Sequence, residues 1–155
     1  MASIHRYEVS CTWSGSTGLG YDHYDRAHDA TATASGAVAL RLSGDASFGG
    51  DPRLLNPEQL LVLAASSCQL LSFLAIAARA RIDVVDYHDV AEGFMPEDEP
   101  PIRITRIDLR PRITLAAPVP EARVLRLVDL AHRECYIANS LRTDIVITPT
   151  IVSRS

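Results

Sequence analysis

From Leu60 to Ala78 the chain is Leu, Ala, Val, Ile and Phe around almost the whole circumference of a helix, interrupted by Ser66, Ser67, Cys68, Gln69 and Ser72. A helix that is apolar on every face belongs in an interior, so this segment predicts a buried central helix around which the rest of the fold is arranged. Its start is marked by Asn56-Pro57-Glu58-Gln59, with Asn as N-cap, Pro at the first helical position and Gln third. About 20 apolar residues would suffice to cross a bilayer. The polar cluster at mid-length and the many alanines lower the mean hydropathy and favour a protein core, with no membrane partner.

The flanking segments supply the cover. Tyr7 to Trp13 alternates as a first strand and is followed by the turn Ser14-Gly15-Ser16-Thr17-Gly18. A loop rich in polar and aromatic groups, Tyr21-Asp22-His23-Tyr24-Asp25-Arg26-Ala27-His28, leads to a second strand from about Thr31 to Leu42. Beyond the central helix, Val84 to Ala91 reads as a strand, Met95 to Pro101 as an acidic loop, and Ile102 to Leu115 as one or two strands around Pro111. Val124, Leu127, Val128 and Ala131 fall at helical spacing, so Glu121 to Glu134 is an amphipathic helix running toward Cys135, before a final strand near Asp144 to Val152.

This order gives an α+β domain spanning residues 1–155, with a sheet on one side of the apolar helix. With one further helix available, the simplest cover for the other side is the same helix of a second copy, which predicts an obligate homodimer.

The net charge of −4 gives no electrostatic reason to bind nucleic acid. The first residues, Met1-Ala2-Ser3-Ile4-His5-Arg6-Tyr7, do not read as a secretory signal, which points to the cytoplasm. Three cysteines are too few for a disulfide framework and leave thiol chemistry or simple burial. Cys11, in the first strand, reads as structural. Ser66, Ser67 and Gln69 are odd neighbours for an inert core cysteine at 68. His132 and Cys135 share a helix face, but no second closely spaced ligand pair completes a metal site. A cysteine hydrolase using His28, His88 or His132 as base lacks any local signature, although one sequence does not eliminate those histidines.

The runs Asn56-Pro57-Glu58-Gln59-Leu60-Leu61, Ala64-Ala65-Ser66-Ser67-Cys68 and Ala131-His132-Arg133-Glu134-Cys135 resemble the two cysteine motifs of the OsmC/Ohr family of osmotically inducible and organic hydroperoxide resistance proteins. The order of elements matches as well. The resemblance implies an OsmC-like fold, an antiparallel sheet wrapped on a long buried central helix in an intertwined homodimer. It implies a thiol-dependent peroxidase in which Cys68 attacks an organic hydroperoxide and Cys135 resolves the product through a disulfide. A dithiol reductant, a lipoylated protein or similar, then restores the thiols, and no bound cofactor takes part.

A cysteine of ordinary pKa is a weak nucleophile at neutral pH and needs a nearby cation. By position the resemblance implies Arg26 for that role, held by Glu58, with Arg41 and Arg53 as alternatives. Ten residues of helix separate Glu58 from Cys68, a rise of about 15 Å, so Glu58 of a second copy, on an antiparallel central helix, would complete the site. Phe48, Phe94 and nearby Leu and Ala residues suggest an apolar entry for the alkyl group.

The chain departs from the better-known branches at Gln69-Leu70, at Tyr136-Ile137-Ala138-Asn139-Ser140, and in the Tyr- and Asp-rich early loop, which replaces a Gly-Gly-Arg turn. The alternative reading is a non-catalytic dimeric protein of the same fold that binds a small ligand or senses redox state.

Overall fold

The computed structural model describes residues 4–18, 20–32 and 38–154. The chain divides into two compact units, Met1–Leu60 and Leu61–Ser155.

In the first unit, β1 (Val9–Thr12), β2 (His28–Ala32) and β3 (Ala39–Leu42) form an antiparallel sheet in that order. The single strand expected from Thr31 to Leu42 is therefore two paired strands, with Thr31 opposite Ala39. The sequence carries Ser35-Gly36 between them, a turn signal; residues 33–37 lie outside the described residues. A 3₁₀ turn, Ala46–Phe48, follows, capped by the Asp45 carboxylate, which accepts the Ser47 amide at 2.8 Å.

Pro57 begins α1 (Pro57–Arg79) as the cap signal implies. Asn56 Oδ1 accepts the Gln59 amide at 2.8 Å while Gln59 Oε1 accepts the Asn56 amide at 3.0 Å, a reciprocal capping box. At the other end Arg81 adopts a left-handed conformation (φ 57°). The Ile82 amide donates to the Ala77 carbonyl and the Arg81 amide to that of Ala78, and the buried Ile82 side chain completes a Schellman stop.

The second unit contains two three-stranded sheets. One runs β4 (Val84–Asp89), β7 (Pro111–Leu115), β9 (Thr150–Ser153); the other runs β5 (Glu92–Phe94), β6 (Arg106–Leu109), β8 (Asp144–Ile147). Only Val90-Ala91, Arg110 and Thr148-Pro149 separate β4 from β5, β6 from β7 and β8 from β9, so these are three long strands, each bent at the same level. Pro149 has no amide to give the ladder, which is why the last strand breaks there. Asp89 holds the bend: its carboxylate accepts the Arg110 amide at 2.7 Å and the Ser66 hydroxyl.

The expected antiparallel sheet is corrected by this pairing. β4 with β7 and β5 with β6 are antiparallel, but β6 with β8 and β7 with β9 are parallel. The reason is α2 (Glu121–Glu134), a helical crossover between β7 and β8, which returns the chain in its original direction. Phe73, Ile76 and Ala77 of α1, Ile113 and Leu115 of β7, and Val124 and Val128 of α2 make one dry core; Ala65, Ile107 and Leu109 belong to a second.

Within a single chain α1 is buried along one stripe. Its length and mean hydropathy of 2.1 would allow a bilayer crossing, yet only 28% of that stretch is buried within the chain. The stripe Ala65, Gln69, Phe73, Ile76 and Ala77 packs inward as a core helix does, while Leu63 and Leu71 are 58% and 63% exposed. One sheet and one amphipathic helix cover one side of such a helix and no more.

Candidate active site

Cys68 lies at the middle of α1, half-buried, and Cys135 caps the C-terminus of α2, 1% exposed. The structure brings the two thiols into hydrogen-bonding contact. Burial first, and then that contact, push the Cys135 thiol up to about 11, so it keeps its proton at neutral pH.

The segment after α2 organises the pair. Asn139 Nδ2 donates to the carbonyls of Arg133 (2.9 Å) and Cys135 (3.0 Å), and the Ser140 hydroxyl donates to the Tyr136 carbonyl (2.7 Å), closing a tight turn. This turn aims two backbone amides at sulfur: Ile137 N–H at Cys68 Sγ (3.5 Å) and Ala138 N–H at Cys135 Sγ (3.4 Å). At Cys135 these amides pull against burial without reversing it. Tyr136 to Ser140, where the chain departs from the better-known motifs, thus meets both sulfurs through its backbone.

Cys68 opens into a cleft of about 570 Å³ whose wall includes Leu71, Ala75, Ile76, Arg79, Glu134 and Tyr136. Sequence reasoning missed Arg79 and Glu134. Residues 68, 72, 75 and 79 are spaced three and four apart, which puts Arg79 on the Cys68 face and could have revealed it. Phe94 is not an entry residue of this cleft; its ring sits under the Arg106 guanidinium, 5.8 Å from the centroid.

Arg26 and Glu58 lie together in the first unit, on the wall of a cavity of about 450 Å³. The Arg26 guanidinium stands between the rings of Tyr21 (4.6 Å) and Tyr24 (4.2 Å) and donates to their carbonyls, at 2.7 Å and 3.1 Å. Gly49 makes room for it: a Cβ there would stand 3.0 Å from Arg26 Cζ, and its φ of +78° suits glycine. Glu58 Oε2 is buried with no hydrogen-bond partner among the described residues. The alternative cations are committed elsewhere, Arg41 to Asp29 (2.9 Å) and Arg53 to Asp51 (2.7 Å). Among the described residues Arg26 has no carboxylate partner within ion-pair distance, and no group of three or more His, Cys, Asp or Glu side chains could hold a metal.

The fold and the site define an α+β protein with a paired-thiol centre between two helices. The chain belongs to the OsmC-like protein family, whose sequence profile matches residues 49–150. It is similar in structure to an OsmC-like protein of unknown function from Vibrio cholerae, with a TM-score of 0.84, 27% identity, and coverage of 95% of this chain and 100% of that one. It is also similar to an organic hydroperoxide resistance protein from Legionella pneumophila (TM-score 0.68, 17% identity, 99% and 100% covered). A third similar structure is an organic hydroperoxide resistance protein from Elizabethkingia anophelis (0.71, 18%, 100% of both). No curated protein sequence matches the chain significantly.

Proposed function

We propose that the protein is a cytoplasmic, homodimeric thiol peroxidase that reduces organic hydroperoxides. The observation that carries this reading is the pair itself: an accessible Cys68 in an open, largely apolar cleft, touching a buried, protonated Cys135. The Cys68 thiolate attacks the distal peroxide oxygen, the O–O bond breaks, and the alkoxide leaves as an alcohol after taking up a proton. The resulting sulfenic acid is attacked by Cys135 sulfur, releasing water and forming a disulfide, before a second peroxide can oxidise it irreversibly. A dithiol, a lipoylated protein or similar, supplies two electrons and two protons to restore both thiols. No bound cofactor is needed.

Arg26 supplies the cation that favours the thiolate and Glu58 the carboxylate that orients it, in this reading. A second copy covers the exposed leucines of α1, and light scattering at a mass twice 16.9 kDa tests that part. The function is tested by consumption of cumene hydroperoxide with excess dithiothreitol, using native protein and Cys68→Ser. Turnover that survives Cys68→Ser unchanged would sink the assignment.

A further inference from the structure

A disulfide is exacting about where its two residues stand, with Cβ atoms about 3.8 Å apart and Cα atoms about 5.5–6 Å apart. Cys68 has its backbone fixed without help, because it lies inside the hydrogen-bonded ladder of α1. Cys135 has no such ladder. It follows the last residue of α2 at φ −69° and ψ 114°, so its backbone has already left the helix and has to be held by other groups.

Asn139 supplies the hold. The Cys135 amide donates to the His132 carbonyl at 3.2 Å, while the Cys135 carbonyl accepts twice from Asn139, from its backbone amide and from Nδ2, each at 3.0 Å. The same Nδ2 reaches the Arg133 carbonyl at 2.9 Å, one of the four that the end of a helix leaves without a partner. One side-chain amide thus ties the last turn of α2 to the residue beyond it, from an exposed position on the wall of the Cys68 cleft. The turn it closes brings the Ala138 amide to Cys135 Sγ at 3.4 Å and the Ile137 amide to Cys68 Sγ at 3.5 Å, so both sulfurs are placed against one short segment.

We propose that Asn139 is a positioning residue for disulfide formation, its Nδ2 donating to the Arg133 and Cys135 carbonyls and so holding Cys135 Sγ where it meets Cys68. Without that donor Cys135 regains backbone freedom, which closing the S–S bond must then remove. The effect applies to any oxidant that takes two electrons and two protons from the thiol pair. Its consequence for turnover, that Cys135 traps the Cys68 sulfenic acid before a second peroxide reaches it, rests on the peroxidase reading above.

The experiment equilibrates the full-length protein with buffers of reduced and oxidised dithiothreitol, traps the free thiols, and reads the Cys68–Cys135 disulfide by peptide mass spectrometry. Oxidised dithiothreitol accepts the two electrons and two protons as the S–S bond forms. Asn139→Ala lowers the equilibrium constant for closing the disulfide about tenfold, the cost of ordering roughly one residue of backbone, and so raises the reduction potential by about 30 mV. Asn139→Asp, which keeps the shape and loses the donor, shifts the potential the same way by at least as much. A cap that served only to stabilise α2 would lower the unfolding midpoint and leave the potential at its native value. A native potential in either variant overturns the proposal, as does a native protein that forms no Cys68–Cys135 disulfide. Peroxide takes no part in this titration, so the expected shifts in a protein without hydroperoxide turnover overturn the peroxidase reading and leave this one standing.

Discussion

The Cys135 thiol touches Cys68 from the buried side, so the sulfur that reaches solvent and the sulfur that holds its proton are adjacent groups on two different helices. In the proposed peroxidase that asymmetry would separate a nucleophile from a resolving thiol, and the two variants are expected to behave differently. Cys68→Ser lowers hydroperoxide turnover by at least about 1,000-fold, as removal of a nucleophile does. Cys135→Ser still consumes one equivalent of peroxide and then carries one added oxygen. Intact mass after a single equivalent checks both, and the native protein loses two hydrogens. A native protein that instead gains oxygen and forms no disulfide would remove Cys135 from the mechanism.

The raised Cys135 pKa carries a sign. The folded value of about 11 lies above the ordinary 9.0, so the folded state holds the proton more tightly than the unfolded one. Stability of the reduced protein is fully present below pH 9 and falls as pH rises toward 11, by about 2 kcal/mol at 1.36 kcal/mol per pKa unit. Cys135→Ser has no thiol to ionise and lacks this component. Tyr87, whose pKa burial also raises, is common to both proteins and cancels. Urea unfolding of the two proteins across this range should show their difference changing only above pH 9; a constant difference contradicts it.

Asn56 gives its side chain to two jobs, capping α1 through Oδ1 and donating from Nδ2 to Asp45 at 3.3 Å. Asn56→Ala therefore costs about 1–2 kcal/mol. Asn56→Ser keeps a capping oxygen without setting a second carboxylate against Asp45, and recovers part of the loss. Chemical denaturation midpoints measure both.

Gln69 is 1% exposed, with Nε2 donating to the Val128 carbonyl at 3.2 Å and Oε1 buried without a partner among the described residues. Gln69→Met removes the hydrogen bond together with the orphan acceptor, and the two effects, each about 1 kcal/mol, offset. Stability stays within about 1 kcal/mol of native, whereas Gln69→Glu buries a charge and costs about 3 kcal/mol. A large loss in Gln69→Met shows that the link from α1 to α2 outweighs the orphan oxygen.

Arg81 ends α1 in the left-handed region, where a Cβ costs about 1 kcal/mol and glycine does not. Arg81→Gly raises stability by about that amount in thermal unfolding, and a variant less stable than native assigns the Arg81 side chain a role in holding the structure.

Both helices, the capping box and the two motif cysteines were legible along the chain, because each is written in spacing of three and four residues or in a cap a few residues long. The strands were less so. Asp89, Arg110 and Thr148-Pro149 bend three long strands at one level, and nothing local in Val84–Phe94 marks where one sheet yields to the next. Sequence patterns report which face of a strand is apolar; they do not report its neighbour.

The sequence by itself determined that α1 forms and where it begins, that α2 is amphipathic and ends at Cys135, and which family's motifs the chain carries. These are consequences of local propensity, capping and hydrophobic period, all readable within a few turns. Tertiary structure decided the mixed strand pairing, the exposure of Leu63 and Leu71, the aromatic seat of Arg26 and the contact between Cys68 and Cys135. Those depend on which distant segments meet, and in Cys135 the meeting changes the chemistry, because burial against another sulfur holds the proton to higher pH than an exposed thiol does.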